Sequence, residues 1–147
     1  MNIDWGQGLP LMVGPWQIGH AEPSPETVGY WDGIKQGRLL IKRCTQCRKY
    51  QHPRRIFCTG CRADTFDWVE TKGTGKVYSF STVHRAPTEE FAGEVPYTVG
   101  IIHLDEDVYL FSRIKTPSGG EPRIGASVRL FFQETGKNGR LPAYQVV

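Results

Sequence analysis

The strongest constraint on this chain is a pair of cysteine turns, Cys44-x2-Cys47 and Cys58-x2-Cys61, separated by ten residues. A Cys-x2-Cys turn lets two thiolates reach one ion while its own backbone amides hydrogen-bond to the sulfurs, and two such turns close a tetrahedral site. These are the only cysteines in the chain, so the pattern predicts one zinc ion per chain held by Cys44, Cys47, Cys58 and Cys61. The competing reading, a pair of disulfides, requires an oxidising compartment. The first residues carry no basic start followed by an apolar run, so the expectation is a cytosolic protein with reduced cysteines.

Four thiolates fill the coordination sphere, whereas catalytic zinc keeps a position open for water. The ion is therefore expected to be structural. His52, between the turns, is an alternative ligand, although histidines in such loops are mostly solvent-facing. With every thiol committed to metal, no cysteine nucleophile remains. The longest apolar runs, Val108 to Phe111 and Leu130 to Phe132, are too short to span a bilayer, so no membrane partner is expected.

Charge is concentrated around the metal. Residues 38–62 hold eight basic side chains and no acidic one, leaving ten basic against fifteen acidic in the rest. A zinc tetrathiolate offsets about two of these charges, and a basic surplus persists. Its alternatives are a solvated face or a surface for phosphate-bearing ligands.

The remaining chain reads as four segments. Residues 1–23 show no helical or strand period, yet Trp5 and Trp16 are costly to leave in water. An extended arm that orders on a partner or on its own domain is expected. Residues 24–38 read as an amphipathic helix from Pro25 to Gln36, with Ser24 as cap, proline at the first position, Trp31 and Ile34 on the apolar side, and Gly37 as stop. Gly29 and Gly33 weaken it, so it needs packing to persist. Residues 39–66 are the zinc ribbon, which has almost no apolar core of its own and takes its stability from the metal. Residues 67–147 carry five strand candidates: Val77 to His84, Tyr97 to Leu104, Val108 to Ile114, Val128 to Gln133 and Ala143 to Val147. Gly73-x-Gly75 bends the first, and a long connection follows the third. The class is mainly β, and the second domain fits a five-stranded OB-fold barrel with its own core, able to survive loss of the ribbon.

Several motifs in this order carry a resemblance. They are Tyr30-Trp31-x2-Ile34-x2-Gly37-Arg38-Leu39, Arg43-Cys44-x2-Cys47-x2-Tyr50-x2-Pro53-Arg54, Gly73-x-Gly75-x-Val77-Tyr78-Ser79-Phe80, Pro96-Tyr97 and Arg123-Ile124-Gly125. From Val28 to Val147 the chain resembles the acyl-CoA-associated proteins that join a rubredoxin-like zinc ribbon to an OB-fold. The resemblance implies a non-catalytic accessory subunit in a hetero-oligomer with a thiolase-fold enzyme. Such enzymes include acyltransferases, side-chain-degrading aldolases and benzoylsuccinyl-CoA thiolase, and the partner carries the catalytic cysteine and histidines. A CoA thioester shared with that partner would meet Arg54 or Arg55, beside Pro53, and Trp5, Trp16, Trp31 and Ile34 would contribute to the interface. Two other readings remain open: a single-stranded nucleic-acid-binding ribbon/OB protein and a freestanding acyl-CoA-binding module. The lack of a basic surplus in residues 67–147 argues against nucleic acid.

Overall fold

The computed structural model describes residues 24–135 and 139–147. A short helix α1 (Val28–Lys35) leads into a three-stranded ribbon of β1 (Leu40–Cys44), β2 (Tyr50–Gln51) and β3 (Phe66–Glu70), in spatial order β2-β1-β3. Five strands then form the barrel: β4 (Thr74–Val83), β5 (Tyr97–Leu104), β6 (Tyr109–Lys115), β7 (Ser127–Thr135) and β8 (Gly139–Val146). It closes in the order β4-β5-β6-β8-β7. All pairings are antiparallel except β6 with β8, because the connection after β6 crosses to β7 and the last strand returns beside β6. This is the Greek-key closure of an OB barrel.

The helix is shorter than expected. Ser24 accepts a hydrogen bond from the Thr27 amide (2.9 Å), and its hydroxyl pairs with that of Thr27 at 2.9 Å. Residues 25–27 thus form a separate turn, and Thr27 rather than Ser24 occupies the cap position. The stop is as expected: Gly37 lies at φ +73°, its amide bonds to the Ile34 carbonyl and the Arg38 amide to that of Gly33, a Schellman closure. Gly29 and Gly33 have a packing role. A Cβ on Gly29 would fall 2.3 Å from the Trp68 ring, and one on Gly33 would fall 2.7 Å from the Leu40 side chain, so bare backbone is what lets α1 lie against the ribbon.

The last strand begins at Gly139, before the expected Ala143, and includes Pro142. Pro142 pairs with Phe132 of β7, and β6 joins only from Ala143. Proline therefore sits where one side of the strand is still unpaired, a position that tolerates its missing N–H.

Ribbon and barrel share one core. Leu39 and Ile41, 1% and 0% exposed, pack with Val77, Ile102, Leu104, Val108, Leu110, Ile114, Val128 and Tyr144. Leu39, just before β1, and Ile41 within it thus join the barrel core. The ribbon has no separate core, as expected from the sequence, but the barrel core is not built from barrel residues alone, because Leu39 and Ile41 belong to it.

Candidate metal centre and the clefts beside it

The four cysteine sulfurs lie within 4.8 Å of one another. The shortest separations are 3.5 Å for Cys44 to Cys61 and 3.4 Å for Cys47 to Cys58. A covalent bridge needs ~2.0 Å, whereas four thiolates around zinc at ~2.3 Å stand ~3.8 Å apart. The spacing is that of a ligand shell. Both turns are built alike: Arg48 bonds its amide to the Cys44 carbonyl and Arg62 its amide to the Cys58 carbonyl, each with positive φ, 67° and 66°.

Amide donors prepare the sulfurs for metal. Gln46 donates its backbone N–H to Cys44 Sγ at 3.4 Å and Gly60 to Cys58 Sγ at 3.2 Å. Buried Gln51 donates Nε2 to Cys58 Sγ at 3.3 Å, while its Oε1 accepts from the Thr59 amide at 3.2 Å. The Cys47 backbone N–H is the main influence lowering the Cys44 pKa. Cys58 is drawn down to about 6, first by the Cys61 backbone N–H and also by that of Gly60, against the effect of burial. For Cys47 the Lys49 N–H favours the thiolate, but the Cys58 sulfur, burial and the Cys61 and Cys44 sulfurs together push it up to about 11. Zinc takes thiolates only, so loading the site expels the remaining protons. The chemistry this arrangement supplies is structural: it ties β1, β2 and the lead into β3 to one point.

His52 is not among the metal-ligating group. Its Nδ1 accepts the Arg54 backbone N–H at 3.1 Å. Burial, then the charges of Arg54, Arg55 and Lys42, lower its pKa, so the ring is neutral at pH 7. The Arg55 amide bonds to the His52 carbonyl at 3.0 Å. Lys42, 5% exposed, donates Nζ to the Arg55 carbonyl at 2.8 Å and lies over the rings of Phe66 and Trp68 at 5.4 and 5.2 Å. Burial lowers its pKa, partly opposed by Glu26. These bonds fix the 52–55 turn, and with it the backbone of both arginines.

Two clefts meet at that turn. One, of 600 Å³, lies among α1, the ribbon turn and the barrel; Tyr30, Trp31, Phe111 and Pro142 form its apolar walls, and His52 and Arg54 stand at one side. The other, of 560 Å³, is polar, with Lys49, Arg54 and Arg55 facing Asp107 and Tyr109. Asp107 is already paired with His103 Nε2 at 2.7 Å. Among the described residues neither Arg54 nor Arg55 has a carboxylate partner.

Of the expected interface residues, Trp31 lines the apolar cleft. Ile34 is 3% exposed, so its surface is already covered by the chain itself. Trp5 and Trp16 lie outside the described residues. Phe111, 70% exposed and shared by the 600 Å³ cleft and a neighbouring apolar groove, went unnoticed in the sequence. Strand alternation from Leu110 and Ser112, both buried, was the signal that could have pointed to it.

Residues 31–67 match the family described as "ChsH2, rubredoxin-like zinc ribbon domain", and residues 68–133 match "ChsH2, C-terminal OB-fold domain". A DUF35 domain-containing scaffold protein of Methanocaldococcus jannaschii is 34% identical over 111 residues, covering 74% of this chain and 78% of that one. The chain belongs to this DUF35 zinc-ribbon/OB-fold family. The family accounts for the metal: four cysteines of a rubredoxin-like ribbon, placed for one Zn2+. A further relative, the probable enoyl-CoA hydratase alpha subunit of Thermomonospora curvata, is 33% identical over 116 residues, covering 79% of this chain. The chain spans about a third of that relative's length, 36%. The benzoylsuccinyl-CoA thiolase subunit BbsA of Thauera aromatica is 30% identical over 81 residues, 52% of this chain and 51% of that one. Among solved structures, the Ltp2-ChsH2(DUF35) aldolase superimposes with a TM-score of 0.77 at 30% identity, covering 86% of this chain and 98% of that chain. Among the described residues, no helix is long and apolar enough to cross a membrane.

Proposed function

We propose that this chain is a non-catalytic scaffold subunit of an acyl-CoA enzyme, that its catalytic partner has the thiolase fold, and that one of the pair Arg54 and Arg55 meets the nucleotide end of a CoA thioester held mainly by that partner. The observation that carries the reading is the position of Arg54, which borders both the apolar 600 Å³ cleft and the cationic 560 Å³ cleft. A ligand with a long thin arm and a cluster of about four phosphate charges needs an apolar slot that opens onto unpaired guanidinium groups. The relatives, described as subunits of a thiolase and a hydratase, an Ltp2-ChsH2(DUF35) aldolase and scaffold proteins, support the accessory role. Reduced cysteines serving as ligands suit a cytosolic setting. Trp31, on the cleft wall, would face the partner, with Trp5 and Trp16 joining from the preceding segment.

A second reading draws on the aromatic barrel face, where Tyr78, Tyr109 and Phe111 are 59%, 44% and 70% exposed. Such residues stack on bases in nucleic-acid-binding OB-folds. Arg113 on the same strand is tied to Glu94 at 2.6 Å, however, and Asp107 adjoins Tyr109. The free cations beside the stripe are those of the ribbon, Arg54 and Arg55 among them, and residues 67–147 carry no basic surplus to continue a track along a phosphate backbone.

The deciding experiment measures KM for a CoA thioester and for its analogue lacking the 3′-phosphate, in complexes carrying wild-type chain or Arg54→Ala/Arg55→Ala. Each charge-assisted contact contributes about 1.5–3 kcal/mol, so the double variant should raise KM for the full thioester by roughly tenfold to over a hundredfold, with a smaller rise for the analogue. A complex that assembles normally with both constants unchanged would refute the role of the arginines.

A further inference from the structure

Two large apolar side chains stand next to each other in solvent on the ribbon: Ile56 is 56% exposed and Phe57 is 57% exposed. Single exposed apolar residues are ordinary, and this pair differs from them in three respects. First, it is held rigid. Cys58, the next residue, belongs to the metal shell, and at the other end Lys42 Nζ and the His52 carbonyl fasten Arg55 at 2.8 and 3.0 Å. A pair fixed at both ends loses little backbone freedom on docking. Second, the exposed charged side chains from Cys44 to Arg62 are Arg48, Lys49, Arg54, Arg55 and Arg62, and the first acid in sequence after them is Asp64. Among the described residues none of the five has a carboxylate within 4.0 Å, and residues 38–62 contain no acid. Third, neither Ile56 nor Phe57 lines the clefts assigned above, so that surface does not account for them.

We infer that Ile56 and Phe57 form the knob by which the chain docks on its acyl-CoA enzyme partner, in an apolar pocket of that subunit rimmed by aspartate or glutamate. The inference rests on the scaffold reading above and gives it a surface. Burying the pair removes two large apolar groups from water, and the carboxylate rim satisfies those cations that neither the chain nor the CoA thioester pairs. Four of the five cations are arginine. Guanidinium forks match carboxylates at fixed positions in a protein pocket, whereas a fluid anionic headgroup layer is served equally well by lysine. That composition favours a protein over a membrane.

The test starts from the tagged full-length chain. Its partner is co-purified from the native host, identified by mass spectrometry and produced pure. Calorimetry then compares wild type, Ile56→Ser/Phe57→Ser and Ile124→Ser, the last altering a 62% exposed side chain in the connection before β7. Zinc content and circular dichroism verify that each variant is folded. The knob variant should bind at least about thirtyfold more weakly, the equivalent of a ~2 kcal/mol hot spot, and Ile124→Ser should bind as wild type does. A photocrosslinker at position 57 should capture a partner peptide containing aspartate or glutamate. Binding by the knob variant within threefold of wild type, or equal losses in both variants, overturns the docking inference and leaves the scaffold reading intact. Failure of the wild-type chain to bind any acyl-CoA enzyme subunit overturns both. Co-sedimentation of wild type, but not the knob variant, with phosphatidylserine/phosphatidylcholine vesicles would make the knob a membrane anchor and also overturn it.

Discussion

Removing the zinc should unfold the barrel along with the ribbon. The metal contributes about 10–16 kcal/mol of apparent free energy to small zinc domains, against a net stability of about 5–15 kcal/mol for a typical domain. Without it, β1 loses its anchor at Cys44, and Leu39 and Ile41 leave the barrel core, where they are 1% and 0% exposed. Losing a buried leucine or isoleucine side chain costs about 2–5 kcal/mol each, cavity included, so the barrel forfeits roughly 4–10 kcal/mol. At about 4 °C per kcal/mol for a chain of this size, its midpoint should fall by about 15–40 °C. The assay is methyl NMR during anaerobic chelation and again during thermal melting, with Ile41 reporting on the ribbon and Ile102 and Ile114 on the barrel. All three resonances should lose their native positions in one transition. If Ile102 and Ile114 keep theirs after zinc is gone and melt separately at a temperature within a few degrees of the intact protein, the shared-core argument is wrong.

Two further outcomes follow from buried groups. Burial pushes Tyr30 up to about 12 and raises Tyr144 further. Their neutral forms therefore contribute stability that is complete below pH 10, the ordinary tyrosine value, and is lost as pH rises through the folded-state values. Phenolate absorbance should show two of the six tyrosines titrating late and together with unfolding; six equivalent steps near pH 10 in a folded chain would contradict this. Gly29→Ala improves helix propensity by about 1 kcal/mol, yet its methyl would meet the Trp68 ring at 2.3 Å. The net result should be a loss of about 1–3 kcal/mol in denaturant titration; a gain would show that the helix can shift off the ribbon without cost.

The sequence determined the parts whose rules are local. Two cysteine turns at fixed spacing can hardly do anything in a reducing setting but share a metal, and the sulfurs converge as the spacing required. Gly37 stops the helix because only a residue at ease with positive φ closes that turn. The barrel strands were legible from alternation and turn residues, with errors at their ends. Pro142 reads locally as a strand breaker and is acceptable only because β6 has not yet joined there. What the tertiary structure alone decided concerns contacts between segments far apart in sequence. Gly29 and Gly33 read as helix weakeners until Trp68 and Leu40 arrive beside them. Ile34 and Trp31 are three residues apart on one apolar side, yet one is covered and the other borders a cleft, because α1 packs on β1 and β8 at an angle no helical period encodes. Leu39 and Ile41 belong by sequence to the ribbon and by packing to the barrel. Arg54 gains its meaning the same way: the 52–55 turn is local, but two clefts border it only because the zinc ribbon and a closed barrel share one core and hold that turn against β6.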